Sequence, residues 1–394
     1  MGHKTAALLA LCLAFATAAA HEAPSVQRVD APELAKLGSA AVGVTTLELV
    51  DAARADRRLK IDLWYPAATA AGGAPVTYEG SLTAEPPAAP TRFTRPGIAV
   101  RDAKRAAGPF PLVVVSHGYD NESVLLSWLT ENLASKGYVV AAIRHVDPPI
   151  TERTRFPEAV MNRPADVAFV TGSLQRSLGD EKLVDPARTA LVGYSMGGYA
   201  VLSVAGAMPN DALRVSGLKA LVGLAPAGAQ FGVWGEDGVA PVTVPMLLIA
   251  GDRDQTVDYA SGARAFLDEA VNSNRYLLTF LGGGHAIGLG PAPEEMRLRL
   301  WDQDWFEDKV WSADRIVGVN LHFITAFLDR YLKDDASRAG YLDGLVPRSA
   351  DGTWSAPPET PYSAYSPGGD GVTLWKGFQR QHAEGLELLH AAPR

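Results

Sequence analysis

The chain has 394 residues, 47% of them hydrophobic and 20% charged, a composition that describes a globular protein with a sizeable core and argues against a disordered chain. Its formal charge of -8 argues against a sequence-independent grip on nucleic acid or on an anionic membrane surface. Length alone admits either one large α/β domain with decorations or two ordinary domains.

Residues 1–20 carry the pattern of an export signal: Lys4 supplies the positive start, residues 6–15 an apolar run, and Ala18-Ala19-Ala20 a small-residue cleavage site before His21. The apolar run is short for a membrane-spanning anchor. Cleavage would also remove Cys12, the only cysteine, leaving neither thiol nor disulfide. Leu11 is bulkier than the small residue that usually precedes a lipid-modified cysteine. The expectation is an exported protein, periplasmic or extracellular, with no stable membrane insertion and no nucleic-acid partner; oligomeric state is not legible.

Residues 42–50 and 59–65 alternate apolar and polar side chains and are read as an antiparallel N-terminal pair of strands. Residues 67–107, with many Pro, Gly and Ala, read as a loop or surface excursion. From Pro111 the rhythm becomes buried strand, then helix. Strands are expected at 112–115, 138–143, 188–193, 218–224, 246–249 and 276–280, and helices near 122–135, 164–178, 198–208, 259–271 and 319–332. Asn162-Arg163-Pro164-Ala165-Asp166 reads as a helix start, with proline early and an acid in the first turn. Short continuous apolar strands alternating with helices mean a parallel sheet covered on both faces.

Gly193-Tyr194-Ser195-Met196-Gly197 is a G-x-S-x-G motif between the strand at 188–193 and the helix at 198–208. That setting suits a nucleophile elbow, in which a tight turn thrusts the serine Oγ into the open where a base and a substrate can both reach it. Side chains at Gly193 and Gly197 would collide with the turn's close backbone approach, and the Met196 N–H at the helix start is free to face a developing oxyanion. With the elbow placed in it, the architecture resembles the α/β-hydrolase fold: a mostly parallel, doubly wound sheet with an antiparallel N-terminal pair. The expected division is a signal at 1–20, a hydrolase domain at 21–338 with an aromatic-rich insert at 286–316, and a docked C-terminal extension at 339–394.

A serine nucleophile needs an imidazole base, and the imidazole a carboxylate. The α/β-hydrolase resemblance implies the chain order serine, acid, histidine, each on the loop after a strand. Of His285, His322, His382 and His390, only His285 follows a buried strand directly, behind three glycines that let the backbone carry the ring over the elbow. The preceding strand ends in Asp252, Asp254 and Asp258. In α/β hydrolases the acid is commonly presented as G-x-x-D, which points to Asp254 and leaves Asp252 to brace the turn. No EF-hand spacing accompanies the aspartates, so neither metal nor cofactor is expected. His117-Gly118-Tyr119 after the strand at 112–115 resembles the oxyanion loop of many serine hydrolases, implying the Tyr119 N–H as second donor beside Met196. His117 precedes Ser195, which breaks the required order and assigns it to ordering the loop. Trp301, Trp305 and Trp311, three of eight tryptophans, either line a substrate pocket or pack the insert onto the body.

With Ile61-Asp62-Leu63-Trp64-Tyr65-Pro66-Ala67, Ser116-His117-Gly118, the elbow, Gly251-Asp252-Arg253-Asp254 and Gly284-His285 in this order, the chain resembles exported bacterial α/β hydrolases of the platelet-activating-factor acetylhydrolase group, often labelled predicted dienelactone hydrolases. True dienelactone hydrolases use a cysteine nucleophile, which this chain lacks after Cys12. The insert and the tail also depart from compact polyester-cleaving relatives with a similar G-x-S-M-G-G elbow. The resemblance implies a serine carboxylic-ester hydrolase for short-acyl, small-molecule esters. Two alternatives use the same residues: an amidase or peptidase with this triad, and a ligand-binding protein on a retired hydrolase scaffold.

Overall fold

The computed structural model describes residues 32–68, 73–83, 89–298, 305–361, 364, 369–378 and 383–394. The expected leader at 1–20 with Lys4 and Cys12, as well as Trp301 and His382, lies outside the described residues.

Among the described residues eleven strands form one sheet: β1 (Ala41–Asp51), β2 (Arg57–Ala67), β3 (Pro75–Leu82), β4 (Thr91–Arg101), β5 (Phe110–Ser116), β6 (Val139–Arg144), β7 (Val184–Tyr194), β8 (Leu218–Leu224), β9 (Met246–Gly251), β10 (Arg275–Phe280) and β11 (Leu386–Ala391). Their spatial order is β11-β10-β9-β8-β7-β5-β6-β2-β1-β4-β3. The run from β10 to β6 is parallel throughout, because its strands are apolar on both sides and each face needs a covering layer. On one face Val113 and Val115 pack with α1 (Ser127–Ser135) and α5 (Ala313–Leu332). On the other, Leu112 and Val114 pack with α2 (Phe156–Asp180) and α3 (Met196–Leu202), and α4 (Ala265–Glu269) extends that layer. The chain runs from β5 to β6 on one side and returns to β7 on the other, so a crevice opens outside the carboxyl ends of β5 and β7, where open α/β sheets bind ligands. This is the α/β-hydrolase fold, with added strands at both ends of the sheet, all paired antiparallel except β4 on β1.

Two expectations are corrected here. Residues 67–107 are not simply a loop, since β3 and β4 extend the N-terminal pair into four strands. The high Pro and Gly content masks an inward set of Tyr78, Phe93 and Ala99, all buried. Glu131 on α1 secures this extension by accepting from Tyr78 Oη at 2.7 Å and from the Ile98 and Ala99 N–H groups at 2.8 and 2.9 Å. Nor does a helix begin at 162–166: α2 starts at Phe156 and carries Pro164 in its interior. A proline there strands the carbonyl four residues back. Tyr199 Oη donates to that carbonyl, Val160 O, at 3.1 Å, so the break is bridged from α3.

The tail returns to the body: β11 pairs antiparallel with β10, and Trp375, buried ahead of it, donates from Nε1 to Val346 O at 2.8 Å.

His117, His145 and His322 are enclosed in the body. Burial, reinforced by Arg163, pushes His117 and His145 below the ordinary imidazole range, and His322 is pushed down to about 3 by burial, Lys136 and Arg338. An unfolded chain takes up a proton on each near pH 6.5, whereas the folded chain does not, so the unfolded state binds more protons and stability falls as pH drops below about 6.5. Each group adds ~1.4 kcal/mol per pH unit to that slope until its folded pKa is reached. Urea unfolding at pH 7.5 and pH 5 should therefore show a clear loss at pH 5. In His322→Asn, Oδ1 can replace the Nδ1 that accepts from Leu34 N–H at 3.3 Å, and the loss should shrink by one group's share. Equal slopes for the two proteins would refute the assignment to His322.

Candidate active site

Strand β7 ends at Tyr194 and α3 begins at Met196, leaving Ser195 alone on the turn with φ 54° and ψ -119°. A non-glycine residue in that region is strained, and the surroundings must enforce it. Ser195 N–H donates to Leu224 O at 2.9 Å, while Ser195 O accepts from Tyr199 N at 3.2 Å and Ala227 N at 3.0 Å. A Cβ on Gly193 would run into Gly197 O, and one on Gly197 into Ser116 O, so the motif's glycines are required by backbone on both sides. The turn therefore holds the hydroxyl out from the sheet, as the motif predicts.

His285 stands on the turn after β10 and Asp254 on the turn after β9, and the structure brings both to Ser195. His285 Nε2 lies 3.0 Å from Ser195 Oγ, and its Nδ1 lies 2.7 Å from Asp254 Oδ2. A carboxylate only accepts, which puts the proton on Nδ1 and leaves Nε2 to accept from the serine hydroxyl. Asp254 Oδ1 accepts from Thr256 N at 2.8 Å and Val257 N at 2.9 Å, so the carboxylate cannot rotate away. Both side chains are buried, at 8% and 2% exposure, which shields these hydrogen bonds from water.

The neighbouring aspartates do other work. Asp252 Oδ1 accepts from Gly282 N–H at 2.6 Å, and Arg253 N–H donates to Gly283 O at 2.9 Å, so the acid's turn is laced to the histidine's turn. Asp258 accepts from Ser261 N and Oγ and faces solvent. His117 accepts at Nε2 from His145 N–H at 3.4 Å and donates from Nδ1 to Gly118 O at 2.7 Å, within the loop it was expected to order. His322 lies in α5 and His390 in β11, remote in the chain from the serine's turn.

A cavity of about 360 Å³ opens over the serine, and Ser195, Met196, Tyr119 and His285 all line it. Neither the Met196 nor the Tyr119 N–H donates to an acceptor among the described residues. Phe156, Phe231, Leu289 and Phe306 supply apolar wall. The tryptophan alternatives divide between residues. Trp305 lines the cavity with its ring 6.4 Å from that of His285, whereas Trp311 is buried, stacks edge-on to Phe280 at 4.9 Å and donates to Leu281 O at 3.0 Å.

Two side chains at the site stand outside the residues expected there from the sequence. Asp308 accepts Gly284 N–H on Oδ2 at 2.6 Å and the N–H groups of Val310 and Trp311 on Oδ1 at 2.9 and 2.8 Å, tethering the histidine's turn to the segment beyond. No local pattern in the chain links it to Gly284. Arg163, read as part of a helix start, donates from α2 to the carbonyls of His117 and Gly118. Its signal was available: Ala159, Val160, Val167 and Val170 share its buried stripe, so a cation sits where a core residue belongs. Among the described residues no group of three or more His, Cys, Asp and Glu side chains is gathered for a metal, and no helix is long and apolar enough to cross a membrane.

A serine, a histidine and an aspartate in hydrogen-bonded series at the carboxyl edge of this sheet define the class of α/β hydrolases with a serine elbow. Within that class the chain belongs to the PET hydrolase-like family, which it matches over residues 99–298. It is 30% identical over 172 residues to Cutinase 1 of Thermobifida cellulosilytica, covering 43% of this chain and 57% of the relative. It is 29% identical over 163 residues to the bis(hydroxyethyl) terephthalate hydrolase of Streptomyces coelicolor (strain ATCC BAA-471 / A3(2) / M145), covering 40% and 44%. The chain thus spans about half the length of the curated relatives it matches. Among solved structures, the ferulic acid esterase from Streptomyces cinnamoneus superposes with a TM-score of 0.57 at 24% identity, over 77% of this chain and 94% of that one, a likeness of fold.

Proposed function

We propose that the protein is a serine carboxylic-ester hydrolase that works through an acyl-enzyme on small-molecule esters with short acyl groups. The observation that carries this reading is the unbroken series Asp254, His285, Ser195, whose last two members line the cavity. Ser195 Oγ attacks the ester carbonyl as His285 Nε2 takes its proton. The N–H groups of Tyr119 and Met196 receive the negative charge on the carbonyl oxygen. His285 then returns the proton to the leaving alcohol, and Asp254 stabilises the transient imidazolium. Water, deprotonated by the same imidazole, releases the acid and restores the serine. None of these steps calls on a metal or cofactor.

The names of the cutinases and of the bis(hydroxyethyl) terephthalate hydrolase support ester chemistry. Kinship with the platelet-activating-factor acetylhydrolase group is supported by Trp64-Tyr65-Pro66-Ala67 and Ser116-His117-Gly118, and export to the periplasm or exterior by the composition of residues 1–20. We assign the hydrolase domain to 21–338 and a C-terminal extension to 339–394, which supplies β11.

Turnover of p-nitrophenyl esters graded by acyl length, beside matched anilides, tests the reading. Short-chain esters should be cleaved fastest and the anilides far more slowly. Faster anilide cleavage would move the activity to amides, and no labelling of Ser195 by a fluorophosphonate would remove catalysis altogether.

A further inference from the structure

The oxyanion assignment leaves a physical question. Gly118 precedes Tyr119, and a glycine imposes little on its own backbone, so the orientation of the Gly118–Tyr119 peptide depends on the groups that hold the Gly118 carbonyl. If it turned, the carbonyl of Gly118 and not the N–H of Tyr119 would face the cavity. A substrate oxyanion would then meet a negative dipole.

We propose that Arg163 is a positioning residue for the oxyanion hole, holding the carbonyls of His117 and Gly118 so that the Tyr119 N–H faces the substrate. This proposal rests on the reading of Tyr119 and Ser195 given above. Arg163 is fully enclosed on α2, at 0% exposure. Its Nη1 donates to His117 O at 2.5 Å and its Nη2 to Gly118 O at 2.9 Å. The same guanidinium is anchored from behind by Asp147, with Nε 2.9 Å and Nη2 2.5 Å from Oδ2. Gly118 O receives a second donor, Nδ1 of His117, at 2.7 Å. A trans peptide is planar with its C=O and N–H pointing in opposite directions, so a carbonyl pinned toward α2 turns the next N–H away from α2. The loop is also pressed on the elbow: a Cβ on Gly118 would lie 3.1 Å from the Tyr194 ring and 3.4 Å from Ser195 Cβ.

The planar guanidinium meets two successive carbonyls and a carboxylate from one rigid fork. A lysine ammonium also has three donors, but on a flexible stem that does not fix their directions, so it holds the two carbonyls less firmly. The design explains why a charged side chain occupies the buried stripe of α2, and it links the substrate-facing N–H to the helix whose first residue, Phe156, lines the cavity.

The test compares wild type, Ser195→Ala, Arg163→Lys, and a double variant Arg163→Met with Asp147→Asn, in which no carboxylate is left unpaired. Readouts are kcat, KM, affinity for phenylboronic acid, which forms a tetrahedral adduct on serine, and the thermal melt. With a folded double variant, kcat should fall about 100-fold, the scale of one lost oxyanion donor, with KM within about threefold. Boronate affinity should fall with kcat/KM, and Arg163→Lys should lie between wild type and the double variant. A cooperative melt with kcat and boronate affinity within about threefold of wild type overturns the proposal, as does a loss confined to KM. If the double variant does not fold, Arg163→Lys carries the same decision: unchanged kcat and boronate affinity overturn it. Fluorophosphonate labelling of wild type but not of Ser195→Ala upholds the parent reading independently, so a failure of Arg163 is distinguishable from a failure of Ser195.

Discussion

Ser195→Ala should lower kcat for ester hydrolysis by about 10⁵ to 10⁶-fold, the scale found when the nucleophile of a serine triad is removed. The covalent route needs an oxygen that can be deprotonated at the point where His285 Nε2 waits, 3.0 Å away, and alanine offers none. The scaffold should be nearly indifferent. The turn is held by backbone bonds to Leu224, Tyr199 and Ala227 and by glycines at 193 and 197, none of which uses the hydroxyl. A melt within a few degrees of wild type is therefore expected, and KM should stay close because the cavity walls are unchanged. Residual activity above about 1% of wild type in purified Ser195→Ala would mean that another group attacks, and the acyl-enzyme mechanism would fall.

The second large effect is expected at Asp254. Asp254→Asn should lower kcat by about 10⁴-fold at neutral pH, through the tautomer of His285 rather than through lost shape. The N–H groups of Thr256 and Val257 donate to Oδ1, so the amide of an asparagine must present its oxygen to them. Its NH₂ group is then turned to His285 Nδ1, which has to accept. The ring proton moves to Nε2 and points at Ser195, where an acceptor is needed. Asp252→Asn should cost less than about tenfold, since that side chain accepts one backbone N–H across the two turns and faces no reacting atom. Single-turnover rates of both variants on the best short-chain ester decide the matter. A larger loss at Asp252 than at Asp254 would transfer the acid's role.

The contrast between these neighbours shows how far the chain itself could be read. Asp252, Asp254 and Asp258 are equivalent as residue types on one turn, and choosing among them leaned on resemblance to α/β hydrolases. What separates them physically is the direction in which each carboxylate leaves the turn, and that depends on β10 lying beside β9. Residues 67–107 illustrate the opposite failing. Their Pro and Gly content reads as loop, yet Tyr78 and Phe93 find a core beside Trp64 and α1, and the partners that stabilise β3 and β4 are distant in the chain. Local propensity lost to tertiary pairing there.

Elements with strong local causes were legible along the chain. Apolar runs too short for helices became the parallel strands, because both faces of that sheet are covered. Gly193-Tyr194-Ser195-Met196-Gly197 became the serine's turn, because only glycines tolerate its backbone contacts, and the serine, acid and histidine fell in chain order after β7, β9 and β10. The tertiary structure alone decided whatever joins residues far apart in the chain: the extension of the sheet by β3, β4 and β11, the tether from Asp308 to Gly284, the split between Trp305 and Trp311, and the reach of Arg163 to His117 and Gly118. The reason is common to all of them. A buried polar or aromatic side chain takes its role from the group it meets, and that meeting is set by the packing of the sheet, helices and loops rather than by the neighbours along the chain.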